Sequence, residues 1–213
     1  MKRILTIVMS LCMGISSFAQ VDAEAKKILD KLSVKSKAYK TMEVEFTLTV
    51  TNKTKGINEV TKGTMKLKGE AYRLLLKDQE IICNGTKIYT YSKEANEVQV
   101  IGVDELEKDA ITPKNIFTIY ENNFKSALKE KKVMNGKNIA VIDLYPTNPK
   151  EKDFTSVKLE VDLDKNQFSK ATVTAKNGTT YVYKIDKFTA DKEYSSTTFT
   201  FDKSKYPGVS VIE

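Results

Sequence analysis

The sequence predicts a mainly-β (α+β) domain, an antiparallel sheet of about ten or eleven strands accompanied by two helices. Three observations carry this. Met42 to Thr51 alternates apolar and polar residues without a break, with Val44, Phe46, Leu48 and Val50 on one side and Glu43, Glu45, Thr47 and Thr49 on the other. The same alternation returns after each of several short polar turns, among them Asn84-Gly85, Asn135-Gly136 and Asn177-Gly178. Helical spacing of apolar residues occurs in only two places.

In chain order, the first segment is a leader. Lys2-Arg3, the apolar run Ile4 to Ile15 and the small residues Ser17 and Ala19 form an export signal, with cleavage expected after Ala19. Cys12 lies inside the apolar run behind Leu11, so it is not expected to be lipidated. The mature chain is expected to be a single domain over 20–213, soluble in a bacterial periplasm. Removing Lys2 and Arg3 leaves 33 basic against 28 acidic residues, which lowers the net charge from +7 to +5. One cysteine, Cys83, remains, so no internal disulfide forms. The chain has no histidine, which removes the usual general base and the commonest metal ligand. Histidine-dependent hydrolysis and zinc chemistry are thereby excluded, and no metal or cofactor is expected.

Asp22 is placed to cap a helix from Ala23, with Ala25, Ile28, Leu29 and Leu32 on one face and lysines on the other. Strands follow at Met42 to Thr51, Gly63 to Lys68 and Tyr72 to Lys77. Gln79 to Cys83 and Lys87 to Ser92 form a hairpin about Asn84-Gly85, and Val98 to Ile101 follows. Val103 to Ala110 reads as a loop. Thr112-Pro113 opens a second helix carrying Ile116, Phe117, Tyr120, Phe124, Ala127 and Leu128, weakened by Glu121-Asn122-Asn123. After a turn at Asn135-Gly136, strands are expected at Ile139 to Tyr145, Val157 to Leu163, Phe168 to Ala175 and Thr179 to Phe188. A last one is expected at Thr197 to Phe201. A sheet of that size with one apolar face must fold on itself as a filled sandwich or curl about its helices and leave a hollow. The residues alone leave both open.

Gly63-Thr64-Met65-Lys66-Leu67-Lys68 followed by Tyr72-Arg73 resembles a segment of the LolA-type outer-membrane lipoprotein carriers. Asn84-Gly85-Thr86-Lys87-Ile88-Tyr89, the helix opening at Pro113, and the close Phe199-Thr200-Phe201 with Pro207-Gly208-Val209 are similar to that family in the same order. The resemblance implies a strongly curved, unclosed antiparallel β-barrel with helices as a lid over a hydrophobic cavity. It implies a carrier without covalent chemistry, taking the acyl chains of lipoproteins or lipids. Its partners would be an inner-membrane ABC transporter and an outer-membrane acceptor, and the protein would be a monomer that binds no nucleic acid. Burial of an acyl chain supplies about 0.8 kcal/mol per methylene. On this reading Val44, Phe46, Leu48, Met65, Leu67, Leu74, Leu76, Tyr89 and Tyr91 line the cavity. Leu29, Ile116, Phe117 and Tyr120 face it from the lid. Lys68 takes the place of the family's latching arginine across a one-residue gap; without the gap Gly69 does. The chain also lacks the family's tryptophans. The competing readings are a carrier or sensor of another lipid, glycolipid or pigment precursor, a membrane-anchored acceptor, an enzyme using Tyr89, Tyr91 and Tyr120, and a filled β-domain that binds nothing.

Overall fold

A helix whose first backbone amides need partners begins the described chain. The computed structural model describes residues 22–106, 117–121 and 123–213. The leader, Pro113 and Ile116 therefore lie outside the described residues. Helix α1 (Ala23–Ala38) is capped by Asp22, whose carboxylate accepts from the amides of Glu24 and Ala25. Its stripe of Ala25, Ile28, Leu29 and Leu32 is buried, as the spacing predicts. It is the one α-helix among the described residues.

The strands are β1 (Met42–Asn52), β2 (Ile57–Lys68), β3 (Ala71–Leu75), β4 (Gln79–Cys83), β5 (Lys87–Ser92) and β6 (Glu97–Gly102). They continue as β7 (Phe124–Met134), β8 (Lys137–Pro146), β9 (Phe154–Asp162), β10 (Gln167–Ala175), β11 (Thr180–Ala190) and β12 (Ser210–Ile212). All twelve belong to one sheet ordered β12-β6-β5-β4-β3-β2-β1-β11-β10-β9-β8-β7. Its terminal strands, β12 and β7, do not pair with each other, so the curved sheet is an unclosed barrel. Every pairing is antiparallel except β12 on β6.

The turns follow local chemistry. At Asn135-Gly136 both residues have positive φ, 51° and 72°, the geometry of a tight hairpin. In the Asn84-Gly85 hairpin only Gly85 is left-handed, at φ 98°. Asn84 instead uses its side-chain oxygen to accept from the amides of Thr86 and Lys87. Gly63 has a different role. It pairs with Phe46, and an added Cβ would lie 2.5 Å from the Phe46 ring and 2.8 Å from Leu76. The ring and the leucine occupy the space that a side chain would take.

Two expected elements are different. The second helix does not continue through Leu128. Residues 119–121 form a short 3₁₀ turn and Phe124–Met134 is the edge strand β7. A bulge between Leu128 and Glu130 shifts the strand's register, and the spacing of Phe124, Ala127 and Leu128 imitates a helix. The strand expected at Thr197 to Phe201 is also absent. Ser196–Phe199 is a 3₁₀ turn that lies over the outer face of β3. There Arg73 Nη1 donates to the Thr198 carbonyl at 3.1 Å and Phe199 is buried.

Candidate binding hollow

Register assigns side chains to the two faces of the sheet. One inner row crosses six strands: Leu48 opposite Tyr183, then Ala171, Leu159, Ile142 and Leu128. The next runs Val50, Tyr181, Val173, Val157 and Leu144. Ala171 stands between Leu159 and Tyr183, and its short side chain leaves room. Over β9, β10 and β11 the inner face encloses a cavity of about 490 Å³. Phe154, Val157, Leu159, Ala171, Val173, Tyr181 and Tyr183 line it, and Asp153, Ala175, Lys176 and Asn177 stand where it meets the strand connections. The volume is within the usual range for small-molecule sites, roughly 300–1,000 Å³. Its walls are mainly apolar, with the phenols of Tyr181 and Tyr183 among them, and its charged groups, Asp153 and Lys176, stand at the mouth. Burial, and then the neighbouring Tyr181, raises the pKa of the Tyr183 phenol.

The cover beside the hollow is α1 with residues 117–121. Phe117 packs on Phe168 with ring centroids 4.9 Å apart, and Phe117 and Tyr120 are buried in the same cluster as Leu29. The Tyr120 hydroxyl is buried near Ser36 without a hydrogen bond of ordinary geometry. Burial, and then the charge of Glu121, pushes its pKa far up. Polar contacts around the cover are mostly exposed. Lys37 pairs with Glu121 at 2.7 Å, Ser33 also bonds Glu121, Glu24 pairs with Lys131, and Lys35 donates to the Lys165 carbonyl at 2.5 Å. Exposed pairs contribute about 0–1 kcal/mol each. The apolar stripe therefore supplies most of the hold. One contact is more specific: the Leu128 amide, at the β7 bulge, donates to Asp22 Oδ2 at 2.8 Å.

The predicted site residues fall into distinct places. Val44, Met65 and Leu67 are buried in the main core, and Phe46 and Leu74 are partly buried against it. They face inward, but over the first half of the sheet and not along the hollow. Leu48 borders the hollow's row, and Leu76 packs at Gly63. Tyr89 and Tyr91 are on the other face. They join Val98, Val100 and Val209 in a second apolar cluster, covered by Phe201 and Tyr206. The reason is visible in the run Ile88-Tyr89-Thr90-Tyr91, where Ile88 takes the inner face and leaves both tyrosines outside. Lys68 is exposed on that outer face, one residue out of phase with buried Leu67. Sequence reasoning missed the hollow's own lining, Val157, Leu159, Ala171, Val173, Tyr181 and Tyr183. The available signal was the small Ala171 in a row of large residues.

The outer face is held by polar groups. Arg73 pairs with Glu80 at 2.5 Å, and Glu80 also accepts from the Tyr206 hydroxyl at 2.9 Å. Glu43 accepts from the Tyr194 hydroxyl at 2.7 Å and from Lys192 at 3.0 Å. Thus the C-terminal segment is tied down over β1 to β6.

Residues 15–179 match the family described as "Outer membrane lipoprotein carrier protein LolA". No match was found among curated proteins. Among solved structures, an uncharacterized conserved protein from Thermus thermophilus aligns with TM-score 0.58 at 8% identity, covering 89% of this chain and 98% of that one. The Mycobacterium tuberculosis lipoprotein LppX aligns with TM-score 0.54 at 10% identity, covering 82% and 99%. MucB aligns with TM-score 0.50 at 12% identity, covering 84% of this chain and 63% of its own. At these identities the likeness is one of fold.

Proposed function

The chain belongs to the LolA family of outer membrane lipoprotein carrier proteins, and from that premise we propose that it is an exported, periplasmic carrier. It holds the acyl chains of a lipoprotein in the hollow over β9–β11 and moves them from the inner to the outer membrane. The observation that carries this reading is the hollow itself, about 490 Å³ with mainly apolar walls and its charged groups at the mouth. Each methylene withdrawn from water contributes about 0.8 kcal/mol, so one long chain supplies binding without any covalent step. The reaction is transfer by partition, with no catalytic residue assigned. An ABC transporter would load the protein and an outer-membrane acceptor would unload it.

The cover gates the exchange. A closed form held by an apolar stripe and exposed ion pairs opens at modest cost. Cargo shifts the equilibrium only by its differential affinity for the open form. Tyr120 and Phe117 would move with α1 on opening, and the Lys68 latch is replaced by the Asp22–Leu128 contact.

The test is native mass spectrometry of protein isolated from periplasm, beside a delipidated sample offered a triacylated peptide. Val173→Trp, which fills the hollow from β10, is expected to abolish uptake while leaving the melting temperature near that of the parent. Uptake unchanged in Val173→Trp would exclude this hollow. A free lipid or glycolipid in the extract, in place of an acylated peptide, would assign the same hollow to a different cargo.

A further inference from the structure

The strand connections at the two ends of the barrel differ in charge. At the end where Asp153, Lys176 and Asn177 border the hollow, five connections meet: β1–β2, β3–β4, β5–β6, β8–β9 and β10–β11. They carry seven lysines, of which Lys53, Lys55, Lys77, Lys93, Lys150 and Lys176 are exposed and Lys152 is half-buried. Acidic residues in the same connections are fewer: Asp78, Glu94, Glu151 and Asp153. At the opposite end the four hairpin connections hold only Lys165, with Glu70 and Asp164. Among the described residues none of the six exposed rim lysines meets a carboxylate. Lys93 donates to the Lys77 carbonyl and Lys176 to the Lys150 carbonyl. Around the helix some lysines are paired, Lys26 with Asp30 and Lys37 with Glu121, while others such as Lys27 and Lys31 are exposed without such a pair among the described residues.

We propose that this lysine rim docks the protein on an anionic lipid surface, with the mouth of the hollow turned toward the bilayer. The composition favours headgroups over a protein. Protein interfaces are rich in aromatic residues and arginine and depleted of lysine. Among the described residues the rim connections themselves carry no exposed large apolar side chain, and one such residue, Tyr145, stands beside them at the end of β8. Its positive charge comes from lysine alone and outnumbers the four carboxylates in the same connections. Juxtamembrane lysines are attracted to an anionic leaflet within a Debye length of about 10 Å at 0.1 M salt. Such docking is reversible and needs no fixed register, which suits a shuttle. The orientation, though not the docking, rests on the proposed role of the hollow.

The experiment is flotation of the delipidated protein with vesicles of phosphatidylcholine alone or mixed with phosphatidylglycerol, at low and high salt. One variant reverses Lys53, Lys55, Lys150 and Lys176 to Glu. A second reverses Lys27, Lys31, Lys40 and Lys137 at the helix end, so that both carry the same net charge. Melting curves check that both fold. The parent is expected to bind the mixed vesicles at low salt only. The rim variant should lose more than about tenfold in binding, and the helix-end variant much less. Equal losses in both variants, or parent binding to neutral vesicles as strong as to anionic ones, would overturn the proposal. An absence of anionic-vesicle binding would also overturn it and reassign the rim to a protein partner. Uptake of a triacylated peptide in vesicle-free solution is scored separately, so a failed carrier reading is distinguished from failed docking.

Discussion

Arg73 is the one arginine among the described residues, and its position shows what the guanidinium fork is for. It joins Glu80 on the neighbouring strand to the Thr198 carbonyl of the C-terminal segment, while Tyr206 completes the Glu80 carboxylate. Arg73→Met leaves Glu80 largely buried with its cation gone. The expected loss is about 3 kcal/mol in urea unfolding, because an uncompensated buried charge costs more than the pair contributed. The Glu43–Tyr194 contact makes a pH prediction. The Tyr194 hydroxyl first, and Lys192 and Lys66 after it, hold the Glu43 carboxyl below its ordinary value. That stabilisation is complete above the unfolded-state pKa and is lost as pH falls through the lower folded value. Burial first, then the same hydrogen bond, pushes the Tyr194 phenol up, so its contribution is lost only as pH rises through the raised value. The segment 191–201 should therefore exchange its amides faster in acid as well as in strong base. Glu43→Gln should remove the acid dependence; an unchanged acid response in that variant would place its origin elsewhere.

Helix α1 carries the argument about opening. Asp22 both caps it and accepts from Leu128, so one carboxylate joins the cover to the edge strand. Asp22→Ala should cost about 1 kcal/mol in cap strength, and a cover loosened by that amount opens about fivefold more often. Stopped-flow uptake of a fluorescent acyl probe should quicken to that degree, with a small drop in melting temperature. Helix α1 was legible because its stripe and its cap are both local. So were β1, β4 and β5, whose alternation and turns are set within a few residues. Phe124 to Leu128 was not, because a bulge changes parity midway and only the partner strand β8 reveals it. Thr197 to Phe201 alternates like a strand, yet its fate depends on Arg73, far away in sequence. The hollow was the least legible feature. Val44 and Val157 belong to similar alternating rows, and which row is left uncovered depends on where α1 crosses the sheet. The same limit misplaced Tyr89 and Tyr91: alternation separates two faces without saying which one is inside.

For the whole molecule, the order of strands has a kinetic consequence. On one side β1 to β6 lie in sequence order, and on the other β7 to β11 do the same. Each half is a meander of neighbouring hairpins, quick to form because its contacts are local. The halves join at one seam, where Met42 lies opposite Ala190 and Thr51 opposite Thr180. Closing that seam brings together the two ends of nearly the whole described chain, so loop entropy delays it. Pulse-labelled hydrogen exchange during refolding should protect the β4–β5 and β8–β9 amides before those shared by β1 and β11. Until then each half presents an uncovered apolar face. A chain emerging from an export channel would expose that face until β11 arrives, and its vulnerability to self-association is greatest in that interval.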